Sequence, residues 1–183
     1  MAKKLKGKEW FTLLAPKMFK EKVIGETPTG DSKTLLGRKL DVHMINLIDD
    51  LSKYYIKLYF KVDKIEGDKA YTVFDGLECL RDYISRMIRY GITRIDTNQT
   101  LKTKDGKSLR VKGIIIVSKK IKKNVEITLK SFVEEKIKKT VEENELDELL
   151  ERLINDTLKN SIIKEGSKIY PMRAFEIRKV DVL

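Results

Sequence analysis

Between Thr100 and Lys123 the chain reads TLKTKDGKSLRVKGIIIVSKKIKK, nine lysines and arginines against a single acid, Asp105. Cations at this density are suited to phosphate: a lysine ammonium is a point charge, and an arginine guanidinium is a planar fork of donors. Within the stretch, Lys102, Lys104, Lys107, Arg110, Lys112, Lys119 and Lys120 are the candidates. A second group opens the chain, where Lys3, Lys4, Lys6, Lys8 and Lys17 belong to a segment, residues 1–24, with seven lysines and two glutamates. A third is the arginine set Arg81, Arg86 and Arg89, with Arg94 beyond, whose competing use is pairing with Glu78 and Asp82. Taken together these residues point to a polyanion.

Catalysis has little to work with. No GxxxxGK[ST], HExxH or GxSxG pattern occurs. His43 and Cys79 are the only imidazole and thiol, so neither a zinc site nor any other cofactor is expected within the chain. Asp41, Asp63 and Asp75 are raw material for a magnesium-dependent nuclease, but their spacing does not gather them. No small-molecule substrate is implied.

The candidate cations must be carried by particular elements. Asp105-Gly106 between two extended runs is a strong short-range hairpin signal. Leu109, Val111, Ile115 and Val117 alternate toward a core, which turns Arg110 and Lys112 outward on one strand face. Ile56, Leu58, Phe60 and Val62 mark an earlier strand, and the EGD turn at residues 66–68 returns it into AYTVF. Residues 77–90 have helical spacing, with Gly91 at the C-terminal cap position. Leu129, Phe132, Val133, Ile137 and Val141 predict a longer helix, with Glu134–Lys138 and Glu135–Lys139 pairs outside it. Leu146, Leu149, Leu150, Leu153 and Ile154 predict a second, and a short third ends near Gly166. Residues 174–182 read as a final strand, with Phe175 and Ile177 alternating against Glu176 and Arg178.

The fold class expected from these elements is α+β: an antiparallel, barrel-like sheet flanked by amphipathic helices, preceded by an irregular basic N-terminal arm. The arm and its loop take residues 1–37, and one α+β domain takes residues 38–183. Trp10 and Phe19 are expected to pin the arm, with base stacking the alternative for Trp10.

The 183 residues carry a formal net charge of +11, with 37% charged residues against roughly 25% in an ordinary soluble domain. Such self-repulsion is retained where a partner neutralises it. No apolar run approaches the roughly 20 residues that span a bilayer, and MAKKLKGKEW is not followed by a secretory apolar region, so no membrane partner is expected. A single cysteine fits a reducing, cytoplasmic setting. Residues 126–156 invert the balance, with ten acids against five bases. The predicted helices are therefore the acidic side.

A series of short runs, in order along nearly the whole chain, resembles one family. They are Lys8-Glu9-Trp10, Ala15-Pro16-Lys17-Met18-Phe19, Gly25-Glu26-Thr27, Gly37-Arg38, Phe74-Asp75-Gly76 and Arg81-Asp82, then Thr103-Lys104-Asp105-Gly106, Leu109-Arg110, Ile169-Tyr170-Pro171 and Arg178-Lys179-Val180. They are similar to the archaeal and eukaryotic S-three-A-e family of small-subunit ribosomal proteins, also called eukaryotic-type S-one. The resemblance implies a non-enzymatic protein on the platform of the small subunit. It would bind ribosomal RNA near its 3′ end, close to the messenger exit, beside neighbouring ribosomal proteins, with messenger RNA or initiation factors as further partners. On matched positions it implies RNA contact for Lys8, Trp10, Lys17, Arg38, Arg81, Lys104, Arg110, Arg178 and Lys179; for the last two, pairing with the acidic helices is the competing use. Contacts made by the terminal extensions of eukaryotic members do not carry over. A free RNA-binding factor in ribosome assembly or translational regulation is the alternative reading.

Overall fold

The computed structural model describes residues 7–48 and 50–183. It is α+β, with eight strands and five α-helices among the described residues, in two compact units, Met1–Leu77 and Glu78–Leu183.

In the first unit, β1 (Glu9–Leu14) and β2 (Val23–Thr29) form an antiparallel hairpin. The irregular arm expected here is therefore ordered strand from Glu9 onward. The reversal between them uses Lys20 and Glu21, both left-handed at φ 57° and 51°, a conformation that L-residues rarely adopt. No glycine or asparagine marks the turn, which is why the sequence hides it. Then come β3 (Lys39–His43), the short α1 (Ile45–Ile48), β4 (Ile56–Glu66) and β5 (Lys69–Cys79), whose last residues lead into the second unit. The strand order is β2-β1-β5-β4-β3. β3 and β4 are antiparallel, whereas β1 runs parallel to β5, from Thr12 opposite Lys69 to Leu14 opposite Tyr71. The sheet is thus mixed rather than antiparallel. It is also open rather than barrel-like, because β2 and β3 each have one neighbour and stand at its edges. Pro28, which lacks an N–H, sits on edge strand β2 where that lack is tolerated. Phe11, Leu13, Leu35, Val62 and Ala70 form one core cluster, and Met44, Leu58 and Phe60 are fully buried as well. Phe19 is buried with its ring edge-on to Phe60, centroids 5.9 Å apart, so it pins this segment as expected.

The second unit contains α2 (Arg81–Met87), β6 (Thr93–Lys102), β7 (Ser108–Val117), α3 (Lys123–Glu143), α4 (Leu146–Ile154), α5 (Thr157–Gly166) and β8 (Ala174–Val182). α2 is shorter than its periodicity predicts. Leu77 and Cys79 belong to β5, and the helix ends when Ile88 turns extended, so Gly91 serves a later turn rather than the cap. β7 lies between β6 and β8 and is antiparallel to both. One side of this ladder is closed by α3, which packs on β6 through a face of Leu129, Val133, Ile137 and Val141; α5 joins α3, α4 and β8. The four-residue-spaced pairs on α3 are Lys130–Glu134, Lys138–Glu142 and Lys139–Glu143 rather than the expected Glu-first pairs, and Lys123–Glu126 closes at 2.9 Å in its first turn. The three four-residue-spaced pairs are loose at 3.9–4.0 Å, and pairs of this kind add little stability.

Cys79 is buried, and desolvation, reinforced by the charge of Glu176, pushes its thiol up to about 12. The thiol of the native protein should therefore stay unreacted with a disulfide reagent at pH 8 and react within mixing time once denaturant is added. The sign for stability follows: the unfolded thiol ionises first, so this group's contribution declines as pH rises from 9.0 toward 12. Rapid labelling without denaturant would refute the burial.

Candidate nucleic-acid interface

Antiparallel partners directly opposite one another share a face of the sheet. On the β6–β8 face turned away from α3, Thr100 faces Arg110 and Asp181, and Asn98 faces Lys112 and Lys179. Lys102, opposite Ser108, extends the row. Arg110, Lys112 and Lys102 make no side-chain hydrogen bond or ion pair among the described residues. Lys179 bonds Asp181 at 2.9 Å on its own strand.

Further along the same face the register slips. Lys112 is opposite Lys179, but Gly113 is opposite Ile177, so Arg178 is the extra residue of a β-bulge. Gly113 stands at the slip in close packing. A Cβ there would lie 2.8 Å from Thr97 Oγ1, which instead accepts the Gly113 N–H at 3.1 Å. The slip also overturns the expected alternation at Glu176. Placed opposite Ile114, Glu176 is buried, where it takes a hydrogen-bonded ion pair from Lys159 and a hydrogen bond from the Tyr83 hydroxyl at 3.1 Å. Beside the bulge, Arg178 of β8, Arg94 of β6 and Arg81 of α2 line a cleft of about 200 Å³ floored by Ile84, Ile88 and Ile114. Arg94 is held by Asp96 through Nε at 3.1 Å and Nη2 at 2.8 Å. Arg81 and Arg178 are exposed and make no hydrogen bond or ion pair among the described residues, and neither do Arg86 and Arg89. The competing use of the α2 arginines, pairing with Glu78 and Asp82, is not realised.

The hairpin's ends differ. Thr103, Lys104, Asp105, Gly106 and Lys107 form the tip, where Gly106 takes φ 78°. The tip is tied down: Lys104 N–H donates to the Asn144 carbonyl at 3.2 Å, and Asp105 Oδ2 accepts from Leu146 N–H at 3.1 Å. That second bond explains the lone acid of the basic stretch, because the first residues of α4 have no side-chain cap of their own. Asp105→Ala should lower stability by about 1 kcal/mol in a denaturant melt; no change would mean that water caps α4 equally well. Roughly 30 Å away, a ten-residue strand's length, lies the other end. There Thr93 Oγ1 donates to the Lys119 carbonyl at 2.9 Å and accepts from Ile121 N–H at 3.3 Å, fixing the 118–122 turn beside the one before β6. Lys120 Nζ lies 5.7 Å from the ring centroid of Tyr90, which is fully exposed at 100%. An exposed aromatic with a lysine ammonium over its ring suits base stacking. Arg94 was legible in the sequence as a forked donor beyond the helix arginines; Tyr90 was not, and its adjacency to Gly91 after an arginine-rich helix was the available signal.

In the first unit, Lys8, Lys17 and Arg38 are exposed, and Arg38 Nη1 donates to Thr27 Oγ1 at 2.5 Å. Trp10 is 62% exposed opposite Pro28, so it does not pin the segment, and the stacking alternative stands for it. Lys3, Lys4 and Lys6 lie outside the described residues. Asp41 and Asp75 are engaged by Lys57 and Lys39, each at 2.6 Å.

A basic α+β chain with unpaired cations in rows along one sheet face carries the electrostatic footprint of the nucleic-acid-binding class. Residues 1–183 match the Ribosomal S3Ae family, and the chain belongs to it. Its relatives include the small ribosomal subunit protein eS1 of Methanopyrus kandleri, 37% identical over 184 residues that cover 98% of this chain and 87% of that protein. The eS1 proteins of Methanobrevibacter smithii and Sulfolobus acidocaldarius are each 36% identical, covering 97% and 98% of this chain and 92% of each relative. The family is a structural, archaeal-type ribosomal one and not a family of enzymes. No described helix is long and apolar enough to cross a membrane.

Proposed function

We propose that this chain is a structural constituent of the small ribosomal subunit, in the cytoplasm, and that it binds ribosomal RNA through the outer face of β6–β8. The observation that carries this reading is the row of unpaired Lys102, Arg110 and Lys112 on the face opposite α3, in a chain matched along its whole length by a ribosomal family. Cations without internal partners are free to exchange condensed counterions for phosphates. Lys104, Lys107, Lys119 and Lys120 at the two ends would extend contact along the duplex or strand, with Arg86 and Arg89 beside Tyr90. Lys8, Lys17, Arg38 and Trp10 of the first unit, with Lys179 beside the row, are further contacts in this reading. Its finer parts are a seat on the platform near the RNA 3′ end, close to messenger RNA or initiation factors, and neighbouring ribosomal proteins against the acidic α3 and α4.

Sedimentation of a cell lysate through a sucrose gradient at moderate salt tests it. The protein is expected to travel with small subunits. Recovery in the free fractions, with small subunits intact, would favour a free RNA-binding factor instead.

A further inference from the structure

We propose that the cleft between α2 and the β6–β8 face is a phosphate site taking one RNA phosphate turned out of the regular backbone track, with its ribose on Ile84, Ile88 and Ile114. This deepens the RNA-binding reading above and rests on it. Three arginines come from three separate elements, and only Arg94 has a carboxylate partner. Guanidiniums collected around so small a cleft repel one another, and an anion between them reverses the sign of that interaction. The arrangement is also built rather than incidental. Arg178 is the bulge residue, and bulges re-aim single side chains. The glycine at the slip, Gly113, tolerates no Cβ without displacing Thr97, which is itself buried and hydrogen-bonded to it. An arginine fork matches a phosphate's oxygens, and Ser85, also at the cleft, adds a hydroxyl donor. The floor is apolar, unlike the Arg110–Lys112 row, so it suits a sugar beside the phosphate rather than phosphate alone.

The same chemistry could serve a free phosphate or mononucleotide, and the experiment separates these sources. Inorganic phosphate, uridine, uridine 5′-monophosphate and a ten-residue oligouridine would be titrated into the full chain. The readouts are the methyl resonances of Ile84, Ile88 and Ile114 and the side-chain Nε–H resonances of Arg81 and Arg178. The oligouridine is expected to shift both sets, uridine neither. Arg81→Gln with Arg178→Gln should weaken oligouridine binding at least tenfold and abolish the methyl shifts. Ser85→Glu, a single exposed change that places an anion in the cleft, should do the same with the melting temperature unchanged. Arg110→Ala with Lys112→Ala should weaken binding but leave the methyl shifts at saturation. The proposal is overturned if oligouridine leaves the cleft resonances unmoved, or if only phosphate and the monophosphate move them. It is also overturned if the double glutamine variant binds oligouridine as the wild type does. If that happens while the Arg110/Lys112 variant is weakened, the RNA-binding face stands and the cleft fails. If the reverse happens, the cleft stands and the row fails.

Discussion

Arg110→Ala combined with Lys112→Ala should weaken RNA binding across unrelated sequences and remove about 1.5 to 2 units from the slope of log affinity against log salt. At 0.1 M salt the loss should be on the order of fiftyfold, shrinking toward nothing near 1 M, because each phosphate contact contributes by releasing counterions. The prediction is sharp because these two side chains stand two residues apart on one strand, on the face away from α3, with no internal partner to compensate. Replacing them opens no cavity, so the denaturant midpoint should move by no more than about 0.5 kcal/mol. Filter binding at four salt concentrations measures the slope. A slope identical to that of the wild type would mean that neither side chain reaches phosphate.

Phe175→Ala should have the largest effect on stability. Phe175 is fully buried, opposite the fully buried Ile115 on the inner face of β7–β8, and its ring edge lies where a Gly113 side chain would otherwise stand. Truncation removes the ring from a close-packed site that the bulge prevents from collapsing, and the expected cost is about 3–5 kcal/mol. For a chain of this size that is a fall of roughly 10 °C in melting temperature. A shift of only a degree or two, read by thermal melting with circular dichroism, would show that β8 is not packed here as described.

How far these features could be read in the sequence depends on where the governing signal is local. Asp105-Gly106 announced its hairpin because a tight turn is specified by its own residues, here Gly106 at φ 78°. α3 announced itself because Leu129, Val133, Ile137 and Val141 recur at the helical period. The β1–β2 hairpin did not, since Lys20 and Glu21 take left-handed conformations that neither residue type announces. Helical spacing over 77–90 misled in part, because Leu77 and Cys79 are buried by a strand whose period happens to agree with it. For the candidate interface, Arg110 and Lys112 followed from simple alternation. The cleft did not, since its arginines lie at positions 81, 94 and 178 and meet only in the fold. Yet a trace of the bulge was present. Phe175 and Ile177 set one phase of alternation, Val180 and Val182 the other, and only an extra residue between them reconciles the two.

The parallel pairing of β1 with β5 carries a consequence for synthesis of the chain. Residues 15–68 separate the two strands, so at about 5–20 residues per second β5 follows β1 by roughly three to ten seconds. Through that interval the nascent hairpin of β1 and β2 has no second neighbour, and two strands alone are marginal in water. Phe11 and Leu13 wait uncovered for Val62 and Ala70. Folding of the first unit is therefore timed by translation past residue 71, and a pause before that point would prolong the exposure of this apolar edge.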